Sequence, residues 1–161
     1  MQRVVMLRGV PGSGKSTEAH RLFTEQGLIG WTVLTFSADD YFMRDGVYQF
    51  DWKKLGDAHG TCLRGFVMNL VSGRTSPFDE VLVVDNTNLT MQELLPYVQL
   101  SKAFKVPFEI VTVMCDPALA AARNVHGVPL AKVYEMDKRM QDSRLPRDWP
   151  QRTIQAEIWS K

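Results

Sequence analysis

Short, nearly continuous apolar runs recur along the chain at Val4–Leu7, Trp31–Phe36, Val81–Val84 and Phe108–Met114, each rich in Val, Ile or Leu. Runs of this length without polar alternation read as strands buried on both faces of a parallel sheet. Between them lie Ser16–Gln26, Trp52–Ser72 and Thr90–Lys105, each long enough for a crossover helix. The third opens on Thr90-Met91-Gln92-Glu93, a capping-box pattern. Its Pro96 lacks the N–H that a helix interior needs, which predicts a kink or a late start. Two more helices are predicted at Pro117–Asn124, with Pro117 in the first turn, and at Leu130–Gln141. Thr153–Trp159 alternates and reads as a last strand. Strands alternating with helices imply an α/β fold around a parallel sheet. No repeat, low-complexity tract or linker interrupts the pattern, so residues 1–161 are expected to form a single domain.

Composition narrows the class. The 161 residues are 45% hydrophobic and 23% charged, which supports a real core and excludes disorder along most of the length. Lys+Arg is 19 against 18 Asp+Glu, a net charge of +1. That balance argues against strong nonspecific binding to nucleic acid or membrane, and leaves room for a local basic groove. The two cysteines, Cys62 and Cys115, form neither a disulfide framework nor a zinc spacing, as suits a reducing compartment. The first apolar run is broken by Arg8 and is too short for a signal peptide or a membrane span. A soluble, cytoplasmic protein without membrane contact is therefore expected.

The segment Gly9-Val10-Pro11-Gly12-Ser13-Gly14-Lys15-Ser16 fits G-x-x-x-x-G-K-[ST] at every fixed position, after a predicted strand and before a predicted helix opening on Ser16-Thr17-Glu18. Glycines let the backbone wrap an anion with its N–H groups pointing inward, and the helix N-terminus adds partial positive charge. Gly9, Gly12, Ser13, Gly14, Lys15, Ser16 and Thr17 are thus expected to hold the phosphates of ATP. Lys15 reaches the β- and γ-phosphates, and the Ser16 hydroxyl ligates Mg²⁺.

Three classes of phosphate-loop protein compete. A GTPase needs an Asn/Thr-Lys-x-Asp guanine reader, which is absent. A ring-forming ATPase normally ends its third strand on Asp-Glu; here Asp85 is followed by Asn86, and the chain has no room for a lid subdomain of several helices. A small-molecule or polynucleotide kinase fits, and needs a carboxylate near the γ-phosphate to accept the attacking hydroxyl's proton. Asp39 and Asp40 follow the second strand and Asp85 closes the third, at the sheet edge where ligands bind. Asp85 is expected on the metal side beside Ser16. For Asp39-Asp40 the competing reading is a solvated turn or a helix cap.

Five strings occur in order: Gly9–Ser16; Ser37-Ala38-Asp39-Asp40-Tyr41-Phe42; Asp45-Gly46-Val47-Tyr48-Gln49-Phe50-Asp51; Val84-Asp85-Asn86-Thr87-Asn88-Leu89; and Arg123-Asn124-Val125-His126-Gly127-Val128-Pro129. Together they resemble the polynucleotide-kinase-like branch of the P-loop kinases, which comprises kinase modules of phage and bacterial end-repair enzymes and stand-alone relatives. The resemblance runs from about residue 3 to about residue 140. It implies a P-loop NTPase of three α/β/α layers, sheet order 2-3-1-4-5, and a small helical lid. It implies Asp39 as the general base at a 5′-hydroxyl end of DNA or RNA and Arg123 as a lid arginine over the ATP phosphates. Asn86, Thr87 and Asn88, with Asp40, then belong to the acceptor side. One position departs from the pattern: Phe42 stands where end-repair kinases carry an arginine for the acceptor phosphate, and the nearest arginine is Arg44.

Other residues stay open at this level. A cation at Arg123 stabilises a transferring phosphoryl group, yet a solvated helix-end arginine reads the same way. His126 reads as a structural or capping histidine, and Asn86-Thr87-Asn88 also suits a plain turn. From Arg123 onward eight cations face five anions, a net +3 that serves ATP, a polynucleotide or simply a solvated helix face. Tyr41, Phe42, Tyr48, Phe50 and Trp52 either stack on a terminal base or form a small core under a long loop. The expected activity is transfer of the ATP γ-phosphoryl to a 5′-hydroxyl of DNA or RNA. Alternative acceptors are a nucleotide, nucleoside or metabolite, or a hydroxymethylated DNA base; a non-catalytic ATP-binding module is the alternative of another class.

Overall fold

A computed structural model describes residues 1–156 of the chain. Five parallel strands form the central sheet: β1 (Gln2–Arg8), β2 (Thr32–Phe36), β5 (Glu80–Asp85), β6 (Phe108–Met114) and β7 (Gln151–Gln155), with a small hairpin of β3 (Met43–Arg44) and β4 (Val47–Tyr48) outside it. Spatial order is β2-β5-β1-β6-β7, all four pairings parallel. With the hairpin strands left out of the count this is the expected 2-3-1-4-5. Parallel neighbours demand crossover connections, and the chain supplies α1 (Lys15–Leu28), α2 (Leu55–Ser72) and α3 (Met91–Phe104). The predicted Thr153–Trp159 strand lies partly in β7; its last three residues fall outside the described ones. Among the described residues no helix is long and apolar enough to cross a membrane.

The apolar runs without alternation are explained by helices on both faces. Val4 and Met6 of β1 join Leu82, Val84 and Ile110 in a core against Phe66 and Leu70 of α2 and Leu94 and Val98 of α3. Val5 and Leu7 point the other way and meet Val81, Val83 and Val111 against Ala19 and Leu22 of α1. The edge strands β2 and β7 are only partly buried, because each has one neighbour.

Pro96 neither delays nor ends α3, which runs unbroken from Met91 to Phe104. Its N-terminus is fixed before the proline is reached: Thr90 accepts from the Glu93 N–H, and the Glu93 carboxylate accepts from the Leu89 N–H at 2.8 Å. The hairpin was not predicted. Its turn is Asp45-Gly46, both at positive φ (50° and 79°), the Asp-Gly signature of a two-residue hairpin.

A third cluster lies over the phosphate loop, where Val10, Leu89, Ala120, Val133 and Met140 bury one another. It seats two helices, α4 (Pro117–Arg123), capped by Asp116, and α5 (Leu130–Asp142). Buried Arg8, at the end of β1, ties the pair down: its Nη2 donates to the carbonyls of Leu89 (2.9 Å), Met140 (2.7 Å) and Ser143 (2.8 Å). Arg8→Met leaves three carbonyls without their donor and is expected to cost about 3 kcal/mol of stability, read as a lower denaturant midpoint at unchanged m-value.

Candidate active site

The carboxyl ends of β1, β5 and β2 meet at one point. From β1 the chain turns through Gly9–Gly14 into α1. Gly14 precedes that helix at φ 101°, and no side chain caps its first amides. Uncapped amides at a helix N-terminus are an anion site. Gly12, Gly14, Lys15, Ser16 and Thr17 line a cavity of about 820 Å³ whose far walls are Arg123 at the end of α4, Asn124 and Val125 just beyond it, and Arg152, Ile154 and Gln155 of β7. Ser16 and Thr17 are exposed to it, whereas Ser13 is fully buried and faces back toward Gly9, so Ser13 shapes the loop. Gly9 in turn donates its N–H to the Thr87 carbonyl at 2.9 Å.

Gly12 is where the loop meets α4. Its φ is +78°, and a Cβ there would lie 2.0 Å from the Ala120 carbonyl oxygen. Gly12→Ala therefore displaces either the loop or α4, and also forces an L-residue into the left-handed region. At least tenfold weaker ATP binding by calorimetry, on the order of 10-fold or more for a loss of roughly 1.4 kcal/mol, is expected together with a lower Tm.

Lys15 is buried and its Nζ donates to the Val10 carbonyl at 2.9 Å. Burial pushes its pKa down, opposed by the charges of Asp85 and Asp39. Ser16 Oγ donates to Asp85 Oδ2 at 3.1 Å. Burial pushes the Asp85 carboxyl above its ordinary value; Lys15 and the Ser16 bond resist that, and Asp39 and Asp40 add to it. The charges of Asp85 and Asp39 thus both act on the buried Lys15.

Asp39 and Asp40 occupy the first turn of a short 3-10 segment, Ala38–Phe42, capped by Ser37. The Asp39 carboxylate is exposed and has two contacts. Tyr48 Oη donates to Oδ1 at 2.9 Å, and His126 Nε2 lies 3.5 Å from Oδ2. Burial, followed by the bond to Asp39, holds the Tyr48 phenol well above its usual pKa, so it stays a donor. Neither Tyr48 nor His126 was assigned to the site from sequence. The Asp45-Gly46 turn points to the hairpin that carries Tyr48, and His126 lies within the Arg123–Pro129 string.

Two residues expected on the acceptor side have buried, hydrogen-bonded side chains. Asn86 is buried: its Oδ1 accepts from the Ala38 N–H at 2.8 Å and its Nδ2 donates to Cys62 Sγ at 3.4 Å. Asn88, also buried, donates to the Leu7 carbonyl at 2.7 Å. Both side-chain amides are spent on backbone and core groups. Thr87 is half-buried, with its carbonyl held by Gly9. Arg44 is exposed at the hairpin end and does not line the cavity. Phe42 is 2% exposed, packed edge-on to Tyr41, Tyr48 and Phe50, which explains why no arginine can stand there. Of the aromatic group Phe42 is core, while Phe50 and Trp52 remain exposed. Much of the C-terminal positive charge is consumed in ion pairs: Lys132–Glu135, Lys138–Asp142, Arg139–Glu93, and Arg152 with Glu18 and Glu109.

A family profile described as "AAA domain" matches residues 4–127. Human NEDD4-binding protein 2 is 39% identical over 137 residues, which are 83% of this chain and 7% of that protein. The chain thus spans a small part of that relative's length. Two solved structures share the fold at low identity. A mutant APS kinase from Mycobacterium tuberculosis has a TM-score of 0.53 at 14% identity, over 70% of this chain and 75% of the other. A gluconokinase from Sinorhizobium meliloti has a TM-score of 0.58 at 14% identity, over 96% and 82%.

Proposed function

The chain belongs to the AAA domain family matched by that profile, a family of P-loop kinases, and from that premise we propose that it moves the γ-phosphoryl of ATP to a 5′-hydroxyl end of DNA or RNA. The observation that carries this is a phosphate loop that opens on a large cavity, with the exposed Asp39 carboxylate held outside that cavity by Tyr48 and by His126, three residues beyond the cavity-lining Arg123. In the reaction the acceptor oxygen–phosphorus bond forms, the bond from phosphorus to the β,γ-bridging oxygen breaks, and the hydroxyl proton passes to Asp39. Lys15 and Arg123, which lines the cavity, stabilise charge on the phosphoryl oxygens. Asn86 in place of glutamate after Asp85 favours transfer over water activation.

Ser16 and Asp85 would hold Mg²⁺, with phosphate oxygens and water completing its shell. Bound Mg²⁺ neutralises phosphate charge. Their pairing fits this use because a hydroxyl and a carboxylate oxygen are hard oxygen donors that leave most of the shell to phosphate and water. The free thiols Cys62 and Cys115 suit the reducing, ATP-containing cytoplasm, where we place the protein.

A second reading, a nucleoside or other small alcohol as acceptor, is favoured by the burial of Phe42, which removes the arginine that would grip an acceptor phosphate. Incubation with γ-labelled ATP against 5′-hydroxyl single-stranded and duplex DNA and RNA, nucleosides, nucleoside monophosphates, sugars and hydroxymethylated DNA tests both. The near-neutral chain predicts contacts with only one or two nucleotides, so short and long oligonucleotides should serve equally, with a log–log salt slope of about −0.7 per phosphate contacted. Inert oligonucleotides beside a strongly phosphorylated small molecule would transfer the assignment to the second reading.

A further inference from the structure

The turn after α4 touches both halves of the site. Arg123, at its start, lines the donor cavity; His126, three positions on, contacts Asp39. Asn124 locks the shape between them. Its Nδ2 donates to the carbonyls of Ala121 (2.8 Å) and Val128 (3.0 Å), and its Oδ1 accepts from the Val128 N–H (2.8 Å). The reversal behind His126 is completed by Gly127 at φ 69°. His126 is also held from the hairpin side, its ring 4.3 Å from that of Tyr48. Tyr48 in turn bonds the other oxygen of the same carboxylate. Asp39 is thus contacted from two sides, by the hairpin next to it in the chain and by the distant turn that follows Arg123.

We propose that His126 is a positioning residue that orients the Asp39 carboxylate toward the acceptor, together with Tyr48, and ties that orientation to the placement of Arg123 through the Asn124-locked turn. This rests on Asp39 being the proton acceptor. At 3.5 Å the imidazole contact is long for a hydrogen bond, as catalytic contacts often are before substrates bind. His126 and Asp39 are partly exposed, 34% and 51%, so the bare attraction is worth little. What His126 supplies is direction, since a small misplacement of a reacting group lowers the rate far more than the attraction itself is worth.

The test combines kinetics with a spectroscopic reading. His126→Ala should lower kcat by roughly 5- to 20-fold, with the KM for ATP and the ATP Kd within about twofold. Tyr48→Phe should do likewise. His126→Gln, whose amide keeps a donor near the Nε2 position, should restore most of kcat. In the Asp39→Asn background His126→Ala should add nothing, because the group it orients is gone. The chain has three histidines, so its imidazole NMR signals are few. Those of His126 should shift in Asp39→Asn while those of His20 and His59 stay in place. An unshifted His126 signal overturns the inference, as does wild-type kcat in His126→Ala when Asp39→Asn is crippled. A wild-type chain that phosphorylates no acceptor overturns the functional reading first and this one with it.

Discussion

Lys15→Ala is expected to lower phosphoryl transfer by at least about 10³-fold, the upper range for removing a preorganised charge from a water-excluded site. Its position makes substitution by a neighbour implausible on geometry alone. Lys15 is the lysine of the loop itself, buried at the N-terminus of α1 and held inward by the Val10 carbonyl. A buried ammonium in this setting is maintained by the opposing charges of Asp85 and Asp39. Its removal therefore also reaches the metal side. Asp85 is already displaced above the ordinary carboxylate range by burial, and Lys15 is the largest influence opposing that shift. A carboxylate ligates a cation only when ionised. As pH falls, the variant should accordingly lose Mg²⁺ affinity at a higher pH than the wild type. Turnover of γ-labelled ATP and Mg²⁺ titrations across mildly acidic pH read the two effects separately. Near wild-type turnover in Lys15→Ala would sink the kinase assignment.

Asp39→Asn should cut transfer by roughly 10²–10⁴, the usual worth of a positioned proton acceptor, while ATP affinity stays within a few fold. The separation follows from layout: the donor cavity is lined by the phosphate loop, the turn after α4 and β7, and Asp39 is not among its walls. Asparagine keeps the size of the side chain and can still accept from Tyr48, so the hairpin should stay in place and the Tm should change little. Asp40 is the natural control. It shares the 3-10 turn and lacks the Tyr48 and His126 contacts among the described residues. Asp40→Asn should be mild by comparison, and Asp85→Asn should act through the Mg²⁺ requirement. A crippled Asp40→Asn beside a mild Asp39→Asn would exchange the two roles. Rates at saturating and limiting ATP, with an acceptor that the wild type uses, decide between these outcomes.

The phosphate loop and the parallel sheet were legible because each rests on residues close in the chain. A strand buried on both faces must be apolar throughout, and Val4–Leu7 or Val81–Val84 can be read without knowing the partners. The loop at Gly9–Ser16 is a backbone conformation written in glycines and followed by one lysine. The capping pair Thr90 and Glu93 likewise fixed the start of α3 against the contrary signal of Pro96. The hairpin at Asp45-Gly46 is equally local, but its two-residue strands are too short to show hydrophobic alternation.

Side chains whose partners are far away in the chain were decided only by the tertiary structure. Asn86 and Asn88 look like polar residues of an acceptor turn. The crossover α2 nevertheless brings Cys62 against Asn86, and the parallel pairing of β5 with β1 puts the Leu7 carbonyl within reach of Asn88, so both amides are consumed inside the fold. Phe42 was placed in the core by α2 and the hairpin packing around it, which no spacing within its own string reveals. His126 stands in the Arg123–Pro129 string, but nothing in that string shows that it meets Asp39. It becomes part of the site because Gly12 lets α4 sit directly on the phosphate loop, which aims the turn after α4 at the carboxyl end of β2. Local sequence thus determined the phosphate-binding half of this protein, because backbone conformation and burial period are properties of consecutive residues. The surroundings of Asn86, Asn88 and His126 were decided in three dimensions, because their contacts join segments that only the sheet order and the crossovers bring together.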